Sequence, residues 1–266
     1  ILNDLTKRLL TGTAYVSLML SVTLHPMAIG LLFAWVGILG TLELKKIVEK
    51  QGLDFDLMPS LSLGLLAYAS FVYSEFQFVL YACMFAYFIK QLYQKSKNTL
   101  QQIGTTLFAV VYLFIPLALA IPVASESSNY EPKILMGLFI LIWAADSWAF
   151  VSGSLFGKHK LFERLSPKKT WEGFWGSVVL TAGTGYLLSI TGFGLSSLEG
   201  IGLGILTVFV GTAGDLFQSM LKRASGLKDS GTLLPGHGGI LDRFDSILFC
   251  LPAYYIYFYR LSPLFN

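Results

Sequence analysis

Charge is what this sequence has least of. Asp, Glu, Lys and Arg together make up 13% of its 266 residues, about half the share of near 25% found in ordinary soluble domains. That shortage excludes a separate water-soluble domain, and no nucleic-acid partner is expected. Cysteine is scarcer still. Cys83 and Cys250 both lie in apolar runs, without the paired spacing of a zinc site or a disulfide framework, so both read as packing residues. The chain opens on ILNDLTKRLLTG, which looks trimmed because it lacks an initiator Met. It also lacks a small-residue cleavage site after the first apolar run, which therefore reads as a retained span rather than a signal peptide. No internal repeat or low-complexity tract stands out, and matched broken helices in two halves, often seen in inverted-repeat transporters, are missing.

What the sequence does have is apolar surface, with 54% hydrophobic residues and a mean hydropathy of +0.64. A bilayer core requires roughly 17–25 apolar residues per helix and internal bonding of every backbone polar group, so a chain of this length holds about eight to ten spans. Hydropathy and punctuation mark nine segments, at about 9–24, 26–42, 57–73, 76–90, 102–122, 133–152, 172–190, 199–216 and 244–261. The expected fold class is all-α, a polytopic transmembrane helical protein of about nine spans. Residues 1–125 form its N-terminal helices, about five spans, and 126–266 a C-terminal region in which the polar residues crowd.

Lys and Arg decide the expected orientation. With the N-terminus in the cytoplasm, seventeen of the nineteen fall on the cytoplasmic side, leaving Lys133 and Arg260 outside. The positive-inside rule thus selects N-in, C-out. Lys45, Lys46 and Lys50, like Lys90, Lys95 and Lys97, read as anchors to anionic headgroups.

Several polar residues have no business in lipid unless they do chemistry. Asp146 sits in LFILIWAADSWAFV, where an ionised carboxylate is costly without a cation or water. Asp215 is followed at helical spacing by Gln218, Ser219 and Lys222, with Arg223 beside them, a stripe that starts acidic and ends basic. Gly231, Pro235, Gly236, Gly238 and Gly239 then break any helix into a bent loop whose N–H groups suit phosphate oxygens. Asp242 and Asp245, one turn apart, share a face if the last helix begins near Gly239, and carboxylates that close suit a hard divalent ion such as Mg²⁺. Upstream, Ser166-Pro167 reads as an N-cap with Pro in the first helical position, which would aim Lys168 and Lys169 at an anion bound on that helix N-terminus. His237 is left open between base, metal ligand and phosphate donor, with phosphate or loop contact favoured.

The unbroken run SMLKRASGLKDSGTLLPGHGGILDRFD, from Ser219 to Asp245, resembles the signature of the phosphatidate cytidylyltransferases, also called CDP-diacylglycerol synthases. SPKKTWEG, residues 166–173, resembles the family's second characteristic segment, and the likeness covers roughly residues 140–262. The resemblance implies Mg²⁺-dependent transfer of the CMP group of CTP to phosphatidic acid, giving CDP-diacylglycerol and pyrophosphate, with a second cation as an option. It implies Asp215, Lys169, Asp242 and Asp245 as the catalytic set, with Asp146, Asp215, Asp242 and Asp245 as metal ligands. Substrate phosphates would fall to Lys168, Lys169, Ser219, Lys222, Arg223, Lys228 and Arg243 and to the loop of Gly236, His237, Gly238 and Gly239. It further implies a homodimer in a bacterial inner membrane with its site facing the cytoplasm. Two rivals stay open: a CTP-dependent polyprenol kinase-like enzyme, and an ion-coupled transporter that would use Asp146 and Asp215 as ion ligands.

Overall fold

The computed structural model describes residues 4–94, 98–126, 129–231, 233 and 238–261. Its helices are α1 (Asp4–Val22), α2 (Pro26–Lys50), α3 (Leu57–Val72), α4 (Phe76–Tyr93), α5 (Thr99–Val123), α6 (Pro132–Phe156), α7 (Trp171–Ile190), α8 (Ser197–Ala224) and α9 (Leu241–Ile256). Each of the nine apolar segments read from the sequence coincides with one of them. Among the described residues five helices, α2, α5, α6, α7 and α8, are long and apolar enough to cross a membrane. The protein is an all-α polytopic membrane protein. Two short antiparallel hairpins interrupt it: β1 (Ser125–Glu126) with β2 (Asn129–Tyr130), and β3 (Lys160–Phe162) with β4 (Ser166–Thr170). Cys83 and Cys250 are free thiols, and Cys250 is buried, as packing residues should be.

The chain forms two compact units, Ile1–Pro122 with Leu221–Arg243, and Val123–Met220 with Phe244–Asn266. In the first, the fully buried ring of Phe114 lies against Gly37 of α2 and Gly64 of α3, where a Cβ would overlap it. Between lipid-exposed helices there is no hydrophobic drive, so such small-residue contacts supply the packing energy. Phe114 ends a π-turn, Val110–Phe114, that comes just before Pro116 in α5. Proline has no N–H and crowds the carbonyl four residues back, and the widened turn makes room for it.

In the second unit α6 and α7 pack through Gly153, Gly173 and Gly176, and the Ser177 hydroxyl donates to the Ala145 carbonyl at 2.8 Å. Gly185 of α7 and Gly200 of α8 meet so closely that a Cβ on either would overlap the other's carbonyl. A Cβ on Gly214 of α8 would lie 2.5 Å from the Asp245 carbonyl oxygen of α9. The Thr207 and Tyr254 hydroxyls close the buried α8–α9 contact at 2.7 Å.

One expectation is corrected here. Ser166-Pro167 does not open a helix; it begins strand β4, whose Ser166 and Thr170 pair with Phe162 and Lys160 of β3. The N-cap of α7 is Thr170, with extended backbone and a hydroxyl that accepts the Gly173 N–H at 3.1 Å. A Ser-Pro pair fits a strand edge as well as a helix start, and the decisive feature is the true cap at Thr170. Glu172 in the first turn of α7 reinforces it, accepting the Lys158 N–H at 3.0 Å and lying 2.6 Å from His159 Nδ1. Lys168 and Lys169 are therefore presented from a strand.

Candidate functional site

Within the second unit, α6, β4, α7, α8 and the start of α9 enclose a cavity of about 370 Å³. Asp146, Lys168, Lys169 and Ser177 supply polar lining, and Ile142, Phe150 and Phe174 apolar lining. The Lys169 ammonium meets an Asp215 carboxylate oxygen at 2.5 Å, with both side chains about one-third exposed (30% and 27%). The Asp245 carboxyl lies within hydrogen-bonding reach of that of Asp215 and in the field of Asp146. It also accepts the N–H of Ser246 at 2.7 Å. Asp146, Lys168 and Lys169 thus line the partly apolar cavity, and Lys169 leads on from it to Asp215 and Asp245.

Within the first unit the pair is Lys222 with Asp242. The Lys222 ammonium lies 2.6 Å from Asp242 Oδ1, and the side chains are 10% and 9% exposed. Asp242 Oδ2 accepts the N–H groups of Ser230 at 2.9 Å and Gly239 at 3.0 Å. Burial acts to raise the Asp242 carboxyl, but the Lys222 ammonium and the Gly239 and Ser230 amides outweigh it and hold the group below its ordinary value. Gly238 has φ +81°, and a Cβ there would come 2.6 Å from Asp242 Oδ2, so both its backbone and its lack of side chain are needed.

The chain matches the cytidylyltransferase family over residues 6–261. It belongs to that family. Among curated relatives, it is 39% identical over 183 residues to the phosphatidate cytidylyltransferase of Haemophilus influenzae, covering 62% of this chain and 60% of the relative. It is 36% identical over 159 residues to the phosphatidate cytidylyltransferases of Staphylococcus saprophyticus and Staphylococcus aureus strain COL, covering 59% of this chain and 60% of each. The chain thus spans about 60% of the length of these relatives.

The structure divides the residues named from the sequence. It brings Asp146, Asp215, Asp245 and Lys169 together in one unit. In the other it joins Asp242 and Lys222 to the backbone at Gly239. Ser219 is buried on α8, while Lys168, Lys228 and Arg243 are exposed. Arg223, also exposed, donates to the Leu227 carbonyl at 2.8 Å and closes the end of α8. Gly236 and His237 lie outside the described residues. Sequence reasoning missed Glu43, which lies just past the apolar run 26–42. Its buried carboxyl accepts the Ser230 hydroxyl and the Ile240 and Leu241 amides. An acid followed by Leu44 and a lysine pair was the only available signal.

Among the described residues no three His, Cys, Asp or Glu side chains are gathered closely enough to hold a metal ion as they stand. The donor chemistry nevertheless suits one. Two carboxyls as close as Asp215 and Asp245 need a proton or a cation between them, and hard oxygen donors favour Mg²⁺.

Proposed function

We propose that this chain is a phosphatidate cytidylyltransferase, converting CTP and phosphatidic acid to CDP-diacylglycerol and pyrophosphate. The observation that carries the reading is the second-unit cavity, where cationic and acidic groups share a wall with apolar ones. A substrate with a phosphate headgroup and acyl chains needs both. The names of the relatives from Haemophilus and Staphylococcus support the same reaction.

In this reaction an oxygen of the lipid phosphate attacks the α-phosphorus of CTP. The new P–O bond forms as the bond from that phosphorus to the β-phosphate bridge breaks, and pyrophosphate leaves with the bonding pair. No covalent enzyme intermediate is needed, so the protein's work is in-line placement and neutralisation of charge. Lys168 and Lys169 hold substrate phosphates at the cavity. Lys222, with Arg223, Lys228 and Arg243, serves phosphates on the signature segment, and Ser219, Gly236, His237, Gly238 and Gly239 complete the set of substrate contacts. Asp215 and Asp245, with Asp146 near them, would hold Mg²⁺, which when bound neutralises charge on the phosphates. Asp242 keeps Lys222 in place. Nine spans oriented N-in and C-out would put these groups at the cytoplasmic edge of a bacterial inner membrane, where water-soluble CTP meets a lipid-held phosphate, and the enzyme works as a homodimer.

The test is direct. Protein purified in detergent, given CTP, Mg²⁺ and phosphatidic acid, should form a CMP-bearing lipid and pyrophosphate in equal amounts. Release of CDP with a phosphorylated lipid would instead establish the polyprenol kinase-like chemistry. A protein active only as a carrier in sealed vesicles would establish the transporter.

A further inference from the structure

Among the described residues, the deepest-set acid outside both clusters is Glu43, 5% exposed near the C-terminal end of α2. Its two oxygens accept three hydrogen bonds: the Ser230 hydroxyl at 2.7 Å and the Leu241 amide at 3.0 Å on one, the Ile240 amide at 2.9 Å on the other. Gly231 and Gly239 press against the same carboxyl, and a Cβ at either would overlap it. Ser230 stands at one end of the segment 231–238, and Gly239 to Leu241 stand at the other. Asp242 ties the same two ends from its own side, through the amides of Ser230 and Gly239. The first amides of α9, which a local cap would normally satisfy, are thus held by a helix almost two hundred residues earlier in the chain (separations 197 and 198).

We propose that Glu43 is a positioning residue for the nucleotidyl transfer: it fixes both ends of the glycine-rich signature loop and so sets Lys222, joined to the same assembly through Asp242, against a nucleotide phosphate. This rests on the cytidylyltransferase reading given above. Glu43 itself touches no reacting atom. Only a group with two acceptor oxygens meets all three donors. In Glu43→Gln the amide nitrogen must face either the Ile240 N–H or the Leu241 N–H, so one donor is left opposed whichever way the side chain turns.

The experiment compares the full chain and Glu43→Gln in detergent, measuring steady-state kinetics and hydrogen exchange over residues 239–242. Loss of one charge-assisted hydrogen bond is expected to raise the KM for CTP about tenfold, with the KM for phosphatidic acid within about threefold of wild type. Exchange at Ile240 and Leu241 should quicken by a similar factor of about ten. A residue that merely stabilised the fold would lower the active fraction and kcat and leave both KM values alone. If Glu43→Gln does not purify as folded protein, Ser230→Ala, which deletes one of the three donors, should raise the KM for CTP by about threefold to tenfold. A wild-type KM for CTP in the folded variant overturns the role of Glu43 in transfer, and unchanged exchange overturns the clamp. A wild-type chain that makes no CMP-lipid overturns the reaction reading, while the exchange data still decide whether Glu43 holds the loop.

Discussion

Asp245→Asn is expected to lower kcat by about 10³-fold while leaving the thermal midpoint unchanged or slightly higher. The two effects have one cause. Asp245 lies beside Asp215 and in the field of Asp146, so ionising these acids together costs more in the folded chain than in the unfolded one. Removing one relieves repulsion. Asn keeps the oxygen that accepts the Ser246 N–H at 2.7 Å, so the first turn of α9 loses nothing local. An arrangement that costs stability persists where it serves a reaction, here by leaving anionic oxygens available for a cation beside the substrate phosphates. Initial rates of CMP-lipid formation and a thermal melt on the same sample check the pair of effects. A variant as fast as wild type would remove Asp245 from the catalytic set, and a variant that melts markedly lower would show that its role is structural.

How much of this was legible in the sequence depends on the distance over which each interaction acts. Helix positions follow from apolar runs, a local property, and each of the nine runs found its helix. The Lys168–Lys169 segment shows local reading failing on an ambiguous cue. Ser-Pro fits a helix start, but three residues later Thr170 offers a cap to Gly173, and pairing with Lys160–Phe162 draws 166–170 into a strand. The spacing of Asp242 and Asp245 was legible, while their partners were not. Asp242 is matched to Lys222 and backbone amides, and Asp245 to Asp215, choices made by packing rather than by an i, i+3 interval. Glu43 marks the limit. Its donors are 187 to 198 residues away, and nothing near LGTLELKK announces them. The return of residues 221–243 to the first unit is invisible for the same reason, since a division along the chain cannot express it.

Asp242→Ala should be the most destabilising of the acid substitutions, by about 3–5 kcal/mol, because it strands a buried cation. Lys222 is 10% exposed and would lose the carboxylate that meets it at 2.6 Å. The amides of Ser230 and Gly239 would lose their acceptor at the same stroke. Asp242→Ala with Lys222→Met removes both charges and should recover much of that stability, since a buried ion pair exchanged for apolar groups is often close to neutral. Activity should not return, because Lys222 is assigned to a substrate phosphate, and this split separates scaffold from chemistry. The effect of pH follows from the same contacts. Asp242 is held below its ordinary value, so its stabilisation is fully present above the unfolded pKa of about 3.9 and is lost as pH falls through the lower folded value. The gap in thermal midpoint between wild type and Asp242→Ala should therefore be widest near neutrality and close in acid. A gap that stays constant from neutrality into acid would mean that Asp242 stabilises the loop through packing and not through its charge.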